Sequence, residues 1–135
     1  MENVSQVILR NQARLPPGDL ILVNPEADEL FRSLSADGRK VHLSTGSHGI
    51  FRRLEKMGAD VRFEAVPTAG EDANCNVLIL PREKERLDML LQAAAAGMSG
   101  TGRLWLVGEN RAGIKSSPRL LERHFEQVEK LDSAR

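Results

Sequence analysis

Apolar residues follow two alternating patterns along the chain. Short runs rich in Leu, Ile and Val predict buried strands, and between them apolar residues recur at the spacing of helices packed on a sheet. The strands are predicted at residues 19–24, 40–45, 61–66, 76–80 and 103–107, with a weaker one near 127–131. This alternation predicts an α/β fold, a single doubly wound, mostly parallel sheet with helices on both faces. Flavodoxin-like and methyltransferase-like strand orders both satisfy the pattern.

Capping residues mark the ends of the helices. Ser47 is a suitable N-cap, Gly58 a suitable terminator, and Pro118 suits the first turn of the last helix. The predicted helices cover residues 4–13, 26–34, 47–57, 83–98 and a last segment that begins at Ser117. Their predicted core positions are Ile50, Phe51, Leu54, Met57, Leu87, Leu90, Leu91, Ala94, Ala95, Met98, Leu120, Leu121 and Phe125.

The composition is that of one soluble domain. The chain has 135 residues, of which 41% are hydrophobic and 28% charged, enough for a single core. No apolar run approaches the ~20 residues that span a bilayer, and residues 1–15 lack the features of a secretion signal, so we expect a cytoplasmic protein. Cys75 is the only cysteine, which excludes an internal disulfide and a multi-cysteine zinc site. We expect it to be a small buried apolar residue.

The charges balance, with 19 Lys and Arg against 19 Asp and Glu. A domain that binds RNA tightly on its own usually carries more Lys and Arg than Asp and Glu. We therefore expect a weak, salt-dependent RNA affinity that rests on local clusters such as Arg52, Arg53 and Lys56. Aromatic residues make up 4% of the chain, with no Tyr and one Trp, and the sequence shows no interleaved platform for stacking bases.

The loops after the strands are where an open parallel sheet binds ligands. A nucleotide or S-adenosylmethionine site would place a glycine-rich turn after the first strand, because glycine lets backbone N–H groups approach the ligand closely. Residues 19–37 contain no glycine, and Pro25 removes one donor from this turn. We therefore expect an ordinary capped connection at residues 24–28 and no cofactor site in this domain.

The second loop, residues 45–49, has two glycines and three polar side chains at a helix start. Such a loop could cradle an anion, although Ser47 also suits an ordinary cap. His42, His48 and His124 have no acidic or cysteine partner at ligand spacing, so no metal site is expected.

The segment after the fifth strand is the most distinctive in the chain. Residues 107–116 read VGENRAGIKS, the chain ends in EKLDSAR, and the first predicted helix contains VILRNQ. These motifs resemble the amino-terminal domain of the ribosomal RNA small subunit methyltransferase C family, the 16S rRNA guanine-N2 methyltransferases, and of its large-subunit relatives. The resemblance covers essentially the whole chain and is sharpest in GENRAG and DSAR.

The resemblance implies a tandem protein of two methyltransferase-like α/β domains. The second would bind S-adenosyl-L-methionine and carry an Asn-Pro-Pro-Phe type motif, and the first, which residues 1–135 match, would be a degenerate, non-catalytic copy. The chain ends at Arg135, about where the family's connection to the catalytic domain begins. Residues 80–86, after the fourth strand, lack that motif and predict a solvated first helical turn whose basic members could touch phosphate weakly.

Two interpretations of the GENRAG segment are open, and they do not exclude each other. It could be a turn in which Gly108 and Gly113 permit unusual dihedral angles and Asn110 tolerates the left-handed region. It could also be a polar surface at the carboxyl edge of the sheet that contacts the catalytic domain or an RNA backbone, where a guanidinium binds phosphate bidentately. The candidate contact residues are Glu109, Asn110, Arg111 and Lys115.

We therefore expect an auxiliary domain that stabilises the catalytic half of a 16S rRNA methyltransferase and helps to present the small ribosomal subunit to it. It would be a monomer without a metal, membrane or cofactor site, and S-adenosyl-L-methionine would bind in the catalytic domain. The alternative is a free-standing small nucleotide- or S-adenosylmethionine-binding α/β enzyme, which would need a glycine-rich or acidic loop at residues 24–28. A signalling receiver is disfavoured because the middle strand runs into Pro67 and Thr68 rather than ending in aspartate.

Overall fold

A parallel sheet forms the centre of the molecule. The computed structural model describes residues 3–36, 38–65, 75–81, 84–97, 103–108, 117–123 and 125. The strands are β1 Leu20–Val23, β2 Val41–Thr45, β3 Val61–Phe63, β4 Cys75–Ile79 and β5 Arg103–Val107. Their order, β3-β2-β1-β4-β5, confirms the doubly wound parallel sheet and matches the methyltransferase-like order rather than the flavodoxin-like one.

The strands begin within one residue of their predicted starts. The third ends at Phe63, earlier than predicted, and its predicted last residue Val66 lies outside the described residues. The weaker strand predicted near 127–131 lies outside them as well. The helices are α1 Val4–Arg10, α2 Leu30–Ser35, α3 His48–Lys56, α4 Lys84–Gly97 and α5 Ser117–Glu122, with a 3₁₀ turn at Gln12–Arg14. Within the described part of the chain, none of the helices combines the length and hydropathy needed to cross a membrane.

Helices α1, α2 and α3 cover one face of the sheet. The parallel register places Leu20 and Leu22 of β1 beside Val41 and Leu43 of β2, so these four side chains point the same way. The helix residues packed into the same core are Ile8, Leu30, Phe31, Leu34 and Leu54. Of the predicted core positions in α3, Leu54 is fully buried, whereas Phe51 is only half-buried.

Helices α4 and α5 cover the opposite face. Ile21 and Val23, which alternate with Leu20 and Leu22 along β1, pack there with Leu78 of β4. The buried residues of α4 in this core are Leu87, Leu90 and Leu91, with Leu121 and Phe125 partly buried against it. Together with the buried Ala94, these leucines confirm most of the apolar stripe predicted for α4, whereas the predicted Met98 lies outside the described residues. Because β1 is buried on both faces, its sequence LILV shows no alternation of polar and apolar residues.

Local hydrogen bonds explain where the helices begin. In α1, the Asn3 side chain accepts from the Gln6 N–H while the Gln6 side chain accepts from the Asn3 N–H, a reciprocal capping box. In α3, the Ser47 hydroxyl accepts from the Ile50 N–H at 3.3 Å, and Gly58 follows the helix at φ +84°, as predicted.

Helix α2 begins later than predicted, at Leu30 rather than Glu26. The Asp28 carboxylate accounts for this shift, because one oxygen accepts from the Leu30 N–H at 3.1 Å and the other accepts from the Ser5 hydroxyl at 2.6 Å. Glu29 is the N-cap of α2 and provides no side-chain cap. Asp28 bonds the first N–H of α2 and links this helix to α1, and residues 26–29 form a connection instead of a first helical turn.

Cys75 is fully buried in the core between the sheet and helices α1, α2 and α3, which confirms the prediction that it is a small buried residue. Burial raises the pKa of its thiol from 9.0 to about 12, against the opposing influence of the Arg39 and Arg103 guanidinium groups. The thiol is therefore neutral at physiological pH and contributes as an apolar side chain.

Candidate functional site

The candidate site lies where the sheet reverses its winding direction, between the carboxyl ends of β1 and β4. Chain crossovers leave these two neighbouring strands in opposite directions, and in open α/β sheets this is where a crevice for ligands forms. The residues that follow the two strands are Asn24 and Pro25 after β1, and Leu80 and Pro81 after β4.

Asn24 closes the β1 side of this crevice. Its backbone is left-handed at φ 61°, a conformation that Asn tolerates better than most residues. Its N–H donates to the Ser44 carbonyl at 2.8 Å, and its side-chain Nδ2 donates to the Ile79 carbonyl at 3.0 Å. The side chain therefore links β1 to β4 across the reversal point. Pro25, directly after it, is fully buried.

Leu80 closes the β4 side. Its N–H donates to the Val107 carbonyl at 2.8 Å, and its side chain is buried against Gly108. A Cβ at Gly108 would lie 2.6 Å from the Leu80 Cβ, closer than real side chains approach. No positive φ is found at Gly108, in contrast to Gly18 and Gly58, so the need for glycine there does not come from a left-handed backbone. It is required for close packing instead.

Arg86 of α4 lies over the second loop. Its guanidinium covers Gly46 so closely that a Cβ there would overlap it. With Glu85 and Met89 it lines an open cleft of about 360 Å³. Its Nε is buried and finds no hydrogen-bond partner among the described residues. Arg86 is therefore only partly in solvent, Glu85 is exposed as expected for a solvated turn, and residues 82 and 83 lie outside the described residues.

His42 has an acidic partner that the sequence did not reveal. Its Nδ1 lies 2.6 Å from the Asp60 Oδ2, because the parallel pairing of β2 with β3 brings together residues far apart in sequence. The side chains are 44% and 66% exposed, so this surface pair contributes little stability. Within the described part of the chain, no group of three or more potential metal ligands comes together.

The fold also brings together three ring-bearing side chains, a cluster that the low aromatic content of the sequence did not suggest. His48 and Phe51 lie one turn apart on α3, with ring centroids 6.4 Å apart, and Phe63 at the end of β3 lies 5.4 Å and 5.7 Å from them. The sequence signals were the i, i+3 spacing in α3 and an aromatic residue at the end of the next strand. We call these three side chains the ring cluster.

The candidate contact residues Glu109, Asn110, Arg111 and Lys115 lie outside the described residues. The residues directly before them are described: Val107 is the last residue of β5, and Gly108 packs on Leu80 at the carboxyl edge of the sheet.

Comparisons with known proteins agree with this architecture. The family model described as methyltransferase small domain N-terminal matches residues 5–135. The ribosomal RNA small subunit methyltransferase C of Pseudoalteromonas atlantica is 36% identical over 140 residues, which are 97% of this chain and 39% of that protein. The protein of the same name from Pseudomonas syringae is 38% identical over 135 residues, 100% of this chain and 39% of that protein.

A solved structure shares the fold. The T. thermophilus 16S rRNA N2 G1207 methyltransferase, in complex with AdoMet and guanosine, superposes with a TM-score of 0.65 at 25% identity, covering 91% of this chain and 33% of that one. The chain spans about two fifths of the length of the curated relatives named above. Because the family model matches nearly its whole length, the chain belongs to the methyltransferase small domain N-terminal family.

Proposed function

We propose that residues 1–135 form the non-catalytic, amino-terminal domain of a cytoplasmic 16S rRNA guanine-N2 methyltransferase. In this proposal the domain stabilises a catalytic carboxyl-terminal domain, which binds S-adenosyl-L-methionine, and helps to present the small ribosomal subunit to it. The chain belongs to a methyltransferase family. The observation that carries the proposal is that the Asn24 side chain bridges β1 and β4 and that Leu80 packs against Gly108, where such a fold would bind its cofactor. The length of the related methyltransferases, of which this chain matches about two fifths, supports the second domain.

The filled crevice argues against cofactor binding by this domain. A cofactor there needs open space and backbone N–H groups directed into it. Here the Asn24 N–H and the Leu80 N–H are both bonded to neighbouring strands, Pro25 has no N–H, and the Asn24 amide spans the gap. These bonds leave neither turn with an N–H directed between β1 and β4, which supports the assignment of methyl transfer to the other domain.

We expect the 135-residue chain to bind neither S-adenosylmethionine nor its demethylated product. Titration calorimetry at ligand concentrations up to the millimolar range should show only heats of dilution. A longer related methyltransferase, measured under the same conditions, is the positive control. Saturable binding at micromolar concentration would contradict the prediction, and it would revive the alternative of a free-standing cofactor-binding enzyme.

An assembly role fits a domain that has its own core on each face of the sheet. A catalytic domain produced without this partner would expose apolar surface that the interdomain contact normally covers, and such patches promote aggregation. When the two domains are refolded together, the chain should raise the soluble yield of the catalytic domain and its methylation of small ribosomal subunits. The gain should increase with concentration, because a covalent connection has been replaced by association in solution.

The control for this experiment is an inert protein of similar size at the same concentrations. The assembly role is wrong if the catalytic domain alone refolds and methylates as well as the mixture at every ratio.

The polar segment after β5 is proposed as the contact with the catalytic domain or RNA, through Glu109, Asn110, Arg111 and Lys115. Arg111→Ala should then leave the melting temperature of the chain nearly unchanged and weaken its association with the catalytic domain or RNA. Arg119→Ala, at an exposed position of α5, is the matched control and should change neither. A large loss of stability in Arg111→Ala without a change in binding would show a structural role instead.

A further inference from the structure

The ring cluster of His48, Phe51 and Phe63 lies at one edge of the described sheet. Strand β3 is the last strand on its side, so no further described strand flanks Phe63 there. Phe63 is 52% exposed, the more exposed of the two large apolar residues found at the surface of the described part of the chain. His48 is also exposed, whereas Phe51 is half-buried. The centroids of Phe51 and Phe63 are 5.7 Å apart and their planes differ by 31°, so the half-buried ring supports the exposed one.

A basic surface adjoins the ring cluster on the same helix. Arg52, Arg53 and Lys56 recur at the spacing that places residues on one side of a helix, and all three are exposed. None forms an ion pair with another described residue. Glu55 is the only acidic residue in α3, so the nine-residue helix carries an excess of positive charge in a chain whose total charge is zero. We call these three residues the basic stripe.

We propose that the ring cluster and the basic stripe together bind single-stranded RNA, with an unpaired base stacked on Phe63 and neighbouring phosphates on the basic stripe. This inference rests on the proposed function for the identity of the RNA and adds the surface that contacts it. Stacking on an aromatic side chain accepts any base, and it requires the base to be unpaired, since bases in a duplex already stack on one another.

Charge and size favour RNA over a protein partner. A stable protein interface buries on the order of 800 Å² on each side around an apolar centre. The structure instead presents one exposed ring at the end of β3 and three exposed cations on α3, the helix that carries the other two rings, and proteins combine rings and cations in this way to hold single strands. The zero net charge of the chain and the small number of rings agree with weak binding by this surface alone, assisting a catalytic domain that supplies further contacts.

The test is fluorescence anisotropy of the 135-residue chain with a labelled single-stranded oligonucleotide of 16S rRNA sequence and with the same oligonucleotide in a duplex. At low salt the chain should prefer the single strand. Phe63→Leu, which keeps an apolar side chain and loses the ring, should weaken binding about tenfold, and Phe63→Trp should preserve it. Phe125→Leu is the control, because the partly buried Phe125 ring packs against the core on the opposite face of the sheet.

The salt dependence of RNA binding tests the role of the basic stripe. Replacing Arg52, Arg53 and Lys56 together with glutamine should lower the slope of log affinity against log salt by about 0.7 for each phosphate that the variant no longer neutralises. Arg119→Gln, an exposed cation on α5, should leave the slope unchanged. Thermal melts of every variant establish that the proteins compared are folded.

Three results would overturn the inference: no binding at low salt, equal binding by Phe63→Leu and the parent chain, or equal affinity for single strand and duplex. Loss of association with the catalytic domain in Phe63→Leu, with RNA binding unchanged, would also overturn it and assign the ring cluster to a protein interface. If Phe63→Leu weakens RNA binding but the chain never assists methylation, the proposed function fails and this surface stands.

Discussion

Truncation of Leu91 to alanine is expected to lower the free energy of unfolding by about 2–5 kcal/mol. Leu91 is fully buried in the middle of α4, in the core between this helix and the β1–β4 pair. The loss has two parts, the apolar area no longer buried and the cavity that a close-packed interior fills only partly. Domains of this size are stable by roughly 5–15 kcal/mol, so this one change would remove a large share of the total.

Met89→Ala on the same helix is the matched control, because Met89 is 45% exposed and should change the stability by less than about 1 kcal/mol. Urea denaturation followed by circular dichroism measures both variants. If the two changes cost the same, α4 does not pack on the sheet as described.

Gly108→Ala is the second large effect, an expected loss of about 1–3 kcal/mol from overpacking. The new methyl group would lie 2.6 Å from the Leu80 Cβ and 2.8 Å from its Cδ2. Rotation of the Leu80 side chain cannot move its Cβ, whose position is set by a backbone that is bonded to Val107. One strand or the other must therefore shift.

Gly49→Ala is the control for Gly108→Ala. The nearest atom to a Cβ at position 49 is the Ser47 Oγ at 4.0 Å, and the residue lies in α3, so alanine should stabilise the chain by up to about 1 kcal/mol. Urea denaturation of both variants measures the two changes in the free energy of unfolding. Equal stability of the parent chain and Gly108→Ala would show that β4 and β5 have room at their carboxyl ends.

The features predicted correctly from the sequence depend on local patterns. Strand β1 is an unbroken apolar run because it lies in the middle of the sheet, and the stripe of α4 faces one core. Ser47 and Gly58 mark the ends of α3 through hydrogen bonds and dihedral angles within a few residues. The order of the strands needed the structure, because both candidate orders use the same local patterns.

The errors concern contacts between distant parts of the chain. Arg86 was expected in solvent, but its guanidinium covers Gly46, forty residues earlier in the sequence. Asp60 reaches His42 only because β3 pairs with β2, and the ring cluster depends on the same pairing. Long side chains can turn toward or away from the protein with little change in local pattern, so such contacts follow from the packing of whole elements.

The bond from Asn24 to the Ile79 carbonyl has an evolutionary consequence. If an ancestor of this domain bound a cofactor between β1 and β4, restoring glycine at position 24 would not reopen the site, since Pro25 and Leu80 would still fill it. Each substitution toward an open site would lose buried apolar contacts or a hydrogen bond before a bound ligand could replace them. Selection for stability would therefore oppose the gain of a cofactor site at this position by single substitutions.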